Sequence, residues 1–340
     1  MKQRAVALLI ILCLSILLLP SVQADTGPVS MTFAGDVLLD GYVGNQIKKN
    51  GTAYPFQKVA PVLRAADISF VNLETPVSVR GSKLEGKMFT FRSEPKTLDG
   101  LVYAGVDGVT LANNHILDYG QTAMLDTLVH LDRKGIGHTG AGKDAEQAFR
   151  PFIKNVKGRK IAIVGVTRVM EDRSWHAGTR KPGAASAFTD KPMLDYIKKT
   201  AGQSDFTVVY VHWNKEFSFT PEAYARDLAR KLIDNGVDLV VGAHSHTLMG
   251  AEFYKHKPIF YSLGNFVFNQ STRGGAVTTL SMMLKVYWDG SKTTTAIVPA
   301  KISGGQPRLM DQAFNQSIIA HVNRYSYNAK VSSNGVVKEK

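Results

Sequence analysis

With 340 residues, 44% apolar side chains and a formal charge of +13, the chain can bury a core of ordinary size and suits a polyanionic partner or an anionic surface. Its single cysteine, Cys13, excludes an intramolecular disulfide. Because Cys13 lies in the leader described next, the mature chain has no thiolate ligand or nucleophile, and a metal site must use nitrogen and oxygen donors.

The first two dozen residues read as a secretion signal. Lys2 and Arg4 precede an apolar run from Ala5 to Leu19, Pro20 follows, and Val22-Gln23-Ala24 offers a small-residue cleavage point after Ala24. Left uncleaved, the run is a short anchor. The residues after Cys13 are not those of a lipoprotein site. The expected location is therefore extracytoplasmic, secreted or anchored by residues 1–24. Export also excludes nucleic acid as the polyanion, and no aromatic-basic motif or basic helix stands out.

Buried strands are expected at Val29 to Ala34, Ile68 to Asn72, Gly108 to Ala112, Lys160 to Thr167, Phe206 to His212, Leu239 to Gly242 and Ile259 to Ser262. Helical patterns lie between them, at Gln121 to Lys134 and Pro221 to Asn235. Strand, helix, strand implies an α/β layered core. Ala276 to Trp288 and Thr293 to Pro299 alternate like a hairpin about Asp289-Gly290 and are expected to begin a second sheet. Gln312 to Tyr327 reads as a terminal helix. With no linker in evidence, residues 25–328 form one domain, and the polar tail 329–340 is expected to be flexible.

Most of these strands end in polar residues, the place where ligands gather in α/β folds. The first runs into Gly35-Asp36, the second into Asn72-Leu73-Glu74 and the third into Asn113-Asn114-His115. Later ones end in His212-Trp213 and in His244-Ser245-His246. Taken singly, Asp36 is as well explained as a turn or helix cap, Glu74 as a loop acid and His115 as a core histidine. Together, imidazole, carboxylate and amide oxygen suit Zn, Mn or Fe. A shared carboxylate would let two ions sit about 3.5–4 Å apart, orient a phosphate and activate water.

The ordered series Gly35-Asp36, Asn72-Leu73-Glu74, Ala112-Asn113-Asn114-His115, His212-Trp213, Gly242-Ala243-His244-Ser245-His246 and Tyr261-Ser262-Leu263-Gly264-Asn265-Phe266 resembles the CapA/PgsA capsule-biosynthesis family. The likeness spans roughly Met31 to Phe268 and is specific in combination. That family is similar to the calcineurin-type metallophosphoesterases, which implies a four-layer α/β/β/α fold with two facing mixed sheets. By the same resemblance Asp36 and His246 hold a first divalent metal, Glu74 bridges, and Asn114, His212 and His244 hold a second. His115 then becomes the general acid or phosphate contact.

Three departures stand out. Leu38 occupies the place where the phosphoesterase pattern has a histidine, so the first site is short of a ligand. Glu74 replaces the usual bridging Asp, and Asn214 follows Trp213 where the capsule family tends to have Gly. Asp40 and Asp118 are candidates to compensate. The Ser262 to Phe266 segment reads as a tight turn or a place for close backbone approach to a ligand. Lys83, Lys87, Arg92, Arg168, Arg173, Arg180 and Lys181 are candidates for a basic rim.

The resemblance implies a protein acting outside the membrane in poly-γ-glutamate assembly, release or export, with this anionic polymer and membrane-bound synthase components as partners. An exported phosphoesterase and a non-catalytic binder of anionic polymer are the alternatives.

Overall fold

The computed structural model describes residues 27–269 and 273–340; the expected leader, with Cys13, lies outside them. In chain order the first strands are β1 (Val29–Val37), β2 (Ile68–Leu73), β3 (Gly108–Thr110), β4 (Gly137–Thr139), β5 (Ala141–Gly142) and β6 (Phe152–Val156). There follow β7 (Arg159–Thr167), β8 (Gly183–Ala184), β9 (Phe206–His212), β10 (Leu239–Ala243), β11 (Ala251–Tyr254) and β12 (Lys257–Phe260). The chain closes with β13 (Asn265–Val267), β14 (Leu280–Trp288), β15 (Thr293–Ser303), β16 (Gln306–Leu309), β17 (Ala329–Val331) and β18 (Val336–Glu339).

Two mixed sheets face each other. One has the order β17-β18-β15-β14-β1-β2-β3-β4, with β13 beside β1 and β16 beside β15; the other runs β11-β12-β10-β9-β7-β6. Alternation along each strand explains the layering, because successive side chains leave opposite faces. Met31 and Phe33 of β1, Phe70 of β2, Val208 and Tyr210 of β9 and Val241 of β10 meet in the core between the sheets. Their neighbours face outward: Ala34 and Val71 pack under a helical layer carrying Ile47, Leu101, Leu128 and Leu131. Val164, Val209 and Val240 pack under Ile197, Leu228 and Leu232. Both faces of the central strands are thus dry, which is why they read as continuous apolar runs. Burying one such side chain contributes about 1.5–3 kcal/mol. The result is the expected α/β/β/α arrangement.

Three expectations are corrected. The hairpin after residue 276 does not open another sheet, because β14 pairs antiparallel with β1 from Val29↔Trp288 to Phe33↔Leu284. Met282, Leu284 and Val286 thereby enter the same inter-sheet core as Met31 and Phe33. Residues 276–279, expected as the start of a strand, belong to a short 3-10 turn, Gly275–Thr279.

The tail beyond residue 328 is not loose. β17 and β18 pair with each other, and Thr295↔Val337 joins them to β15. Polar composition hid a period of two: Ala329, Val331 and Val337 point into the core. Asn323, on the helix Gln312–Arg324, grips both the N–H and the carbonyl of Val331, at 2.8 and 2.9 Å.

Candidate metal centre

Strands β1, β2 and β3 are parallel, as are β7, β9 and β10 in the other sheet, so their carboxyl ends meet at one rim. Register sets the neighbours: Asp36 lies beside Asn72 on one side and beside Asn265 on the other. The second pairing requires glycine at position 35, where a Cβ would lie 1.8 Å from the Gly264 carbonyl oxygen. A left-handed backbone at both His244 and His246, φ 93° and 57°, turns the loop after β10 sharply at this rim.

All seven expected residues are buried, and they come together. Asn72 Nδ2 donates to Asp36 Oδ1 at 2.7 Å, and the His244 backbone N–H to Asp36 Oδ2 at 3.3 Å. His246 Nδ1 lies 3.6 Å from Asp36 Oδ2. Glu74 Oε1 sits 3.7 Å from His212 Nε2 and 4.0 Å from His115 Nε2. His212 Nε2 is 2.9 Å from Asn114 Oδ1, and the His212 and His244 rings are 4.7 Å apart. Two triads result, Asp36/Glu74/His246 and Glu74/His212/His244, each with one donor atom per residue and all three atoms within 4.8 Å of one another. Glu74 belongs to both.

Profile comparison matches residues 30–270 to "Bacterial capsule synthesis protein PGA_cap". The chain belongs to the PGA_cap family. It is 30% identical over 306 residues to the capsule biosynthesis protein CapA of Bacillus anthracis, covering 88% of this chain and 73% of that one. To the PGA biosynthesis protein CapA of Bacillus subtilis (strain 168) it is 34% identical over 256 residues, covering 74% of this chain and 66% of the relative. Among solved structures, the NAD nucleotidase of Haemophilus influenzae aligns at 13% identity and a TM-score of 0.42, over 88% of this chain and 57% of that one.

Whether this PGA_cap centre fits a divalent cation is tested by its unpaired atoms. Both carboxylate oxygens of Glu74 and Nδ1 of His244 are buried without a hydrogen-bond partner, an arrangement that costs about 1–3 kcal/mol per group when nothing compensates. Burial pushes the Asp36 carboxyl above its ordinary range, and burial together with the Asp36 charge pushes Glu74 well above it. Burial also drives His212 and His244 well below theirs. Neutral imidazoles are the ligand form of histidine, and a cation between the two acids would restore their charge. The donor set fits one or two such ions.

His115 stands apart from both triads. Its Nδ1 bonds Asp118 Oδ2 at 2.7 Å, so Nε2 faces Glu74. Burial lowers its pKa, while the bond it donates to Asp118 pulls it back up. Lys87 Nζ donates to Asp118 Oδ1 at 2.7 Å and also to the Asn114 carbonyl. Asp118 therefore orients His115 instead of supplying a metal ligand. Asp40 is likewise in neither triad, since its Oδ2 accepts the Arg92 N–H at 2.8 Å.

Lys87, read from sequence as rim, is buried inside this network. Arg168 donates to the carbonyls of Ala187 and Phe188, and Arg92 to those of Arg80 and Gly81. A cleft of about 440 Å³ opens from the centre, walled by Tyr42, Phe89, Phe91, Phe217 and Phe268, with His115 and His246 at its inner end. Sequence reasoning missed the parts played by Asn72, Asn265 and Lys87. Both asparagines stood inside the quoted motifs, but only as company for Glu74 and Gly264.

Proposed function

We propose that this PGA_cap protein acts outside the membrane in the synthesis of a poly-γ-glutamate capsule, through a divalent-cation centre at the rim shared by the two sheets. Family membership supports the capsule role, and the polymer is the one that the names of its relatives point to. The basic amino-terminal start and apolar run of the sequence support the location. One observation carries the chemical reading: Glu74 places two buried, unpaired oxygens between two sets of histidine donors.

Asp36, Glu74 and His246 would hold one ion, and Glu74, Asn114, His212 and His244 a second. Such ions polarise a carbonyl or phosphoryl oxygen and lower the pKa of bound water. The remaining work falls to the chain itself. Asp118 fixes the proton of His115 on Nδ1, which leaves Nε2 free to accept a proton at the inner end of the cleft and return it to a departing atom. The aromatic side chains of the cleft offer an apolar surface to the aliphatic part of a substrate.

Those walls also favour a second reading. A pocket of this size lined by five rings suits a small phosphoester with an apolar or aromatic group, and hydrolysis of such an ester is the alternative. Metal analysis of the purified full chain, followed by turnover assays on γ-glutamyl oligomers and on aryl phosphates, separates the readings. The expected result is two ions per chain, with turnover of the oligomers lost in Asp36→Ala and His244→Ala. Turnover of aryl phosphates alone selects the phosphoesterase, and a chain that takes up no ion sinks the cation centre.

A further inference from the structure

We propose that Asn265 Oδ1 is a ligand of the first cation, supplying the contact that Leu38 cannot. The inference rests on the cation reading above and deepens it.

Asn265 is fully buried at the start of β13, in register with Asp36 on the neighbouring parallel strand. Residues in register on adjacent strands project from the same face, so the amide and the carboxylate belong to one floor. The orientation of the amide is fixed by chemistry: Nδ2 donates to the Thr278 carbonyl at 3.0 Å, a group that only accepts, so Oδ1 must point the other way. There it meets His246 Nδ1 at 2.9 Å, the same ring nitrogen that lies 3.6 Å from Asp36 Oδ2.

His246 Nδ1 thus has two oxygens beside it, Asn265 Oδ1 at 2.9 Å and Asp36 Oδ2 at 3.6 Å. While the centre holds no ion, a proton on Nδ1 can satisfy the amide oxygen. Once Nδ1 gives its lone pair to a cation that proton is gone, and a fully buried oxygen is left with no donor. The cation itself is then the group that satisfies it. Amide oxygen is an ordinary partner for Mn and other hard divalent ions. The side chain at position 38, by contrast, is buried leucine lining the cleft and has nothing to offer a metal.

The competing role for Asn265 is that of an orienting partner, accepting from His246 Nδ1–H while Nε2 binds the ion. Loss of such an outer partner costs about 10–100-fold in metal affinity, whereas loss of a direct ligand should exceed that. The experiment loads the full chain and Asn265→Ala with Mn(II), counts ions by elemental analysis, measures each site's affinity by titration, and records the electron paramagnetic resonance spectrum.

The expected result is two ions with a spin-coupled spectrum in the parent. Asn265→Ala should hold one ion with an uncoupled spectrum, its first-site affinity falling by more than about 100-fold. Two ions in the variant with a smaller loss would overturn the proposal while leaving the cation centre standing. A parent that binds no ion would overturn the centre and this inference together. Should the variant fold poorly, a crystal structure of the Mn-loaded parent decides. Oδ1 bonded to the ion supports the assignment, and Oδ1 still hydrogen-bonded to His246 and outside the coordination sphere refutes it.

Discussion

Replacing Glu74 by methionine should change stability in opposite directions with and without metal. Methionine has similar length and no polar atoms, and adapts to an irregular site. Glu74 is buried with neither oxygen hydrogen-bonded, so in a chelator nothing would offset its polarity, and nearby Asp36 raises the cost of its charge further. Removing an uncompensated buried polar group recovers about 1–3 kcal/mol. At about 2–4 °C per kcal/mol for a large domain, Glu74→Met should melt several degrees above the parent in a chelator.

With metal at a hundred times its dissociation constant the parent gains about 2.7 kcal/mol per site. The variant, having lost the carboxylate common to both triads, gains little. Differential scanning calorimetry of both proteins in chelator and across a Mn(II) titration should therefore show the two melting curves changing places. If the variant melts below the parent in chelator, or if added metal raises both equally, the reasoning from unpaired oxygens to a cation centre is wrong.

Further predictions concern the frame around the centre. Gly35→Ala should destabilise the protein by more than about 3 kcal/mol, beyond the usual range for overpacking, because the new methyl would lie 1.8 Å from a backbone oxygen; thermal melts and soluble yield report it. Glu252 is buried and held by Arg226 at 3.0 Å, Arg230 at 2.7 Å and the Tyr261 hydroxyl at 2.8 Å. Glu252→Gln should cost about 2 kcal/mol in chemical denaturation, below the full value for a broken buried pair because both arginines are partly exposed and regain water.

Asp126 accepts from Arg80 and Ser78, which holds its carboxyl down at about 2. A depressed folded-state pKa means stability that is complete above the unfolded value near 3.8 and is lost as the pH falls through about 2. The stability gap between the parent and Asp126→Asn should therefore be constant above pH 5 and narrow steadily below pH 4. A gap that persists at pH 2 would exclude the carboxylate as its source.

Much of this architecture was legible in the sequence because dry strands leave an unbroken apolar record. Phe206 to His212 was placed to the residue, and the polar groups closing β1, β2, β9 and β10 announced a shared rim. Pairing partners left no such trace. The alternation of Met282, Leu284 and Val286 specifies a half-buried strand but is silent on whether β1 or a new sheet receives it. The terminal hairpin was missed for a related reason: three well-spaced apolar residues suffice at a sheet edge, while average composition registers only the polar residues between them. Lys87 escaped because its partner Asp118 lies in another loop, and nothing periodic joins a lysine to an aspartate across two turns. Asn265 was in view throughout, yet a motif read for its glycine concealed the amide beside it.

The strand that carries Asp36 and its flanking neighbour β14 stand far apart along the chain. β1 cannot complete its pairing until residues 265 to 288 exist, so loop closure over most of the polypeptide precedes assembly of the centre. A partial chain ending before β14 holds every donor residue but lacks the strand that pairs along Val29 to Phe33 and frames them. A centre built on that pairing is a certificate that β1 has met both β13 and β14.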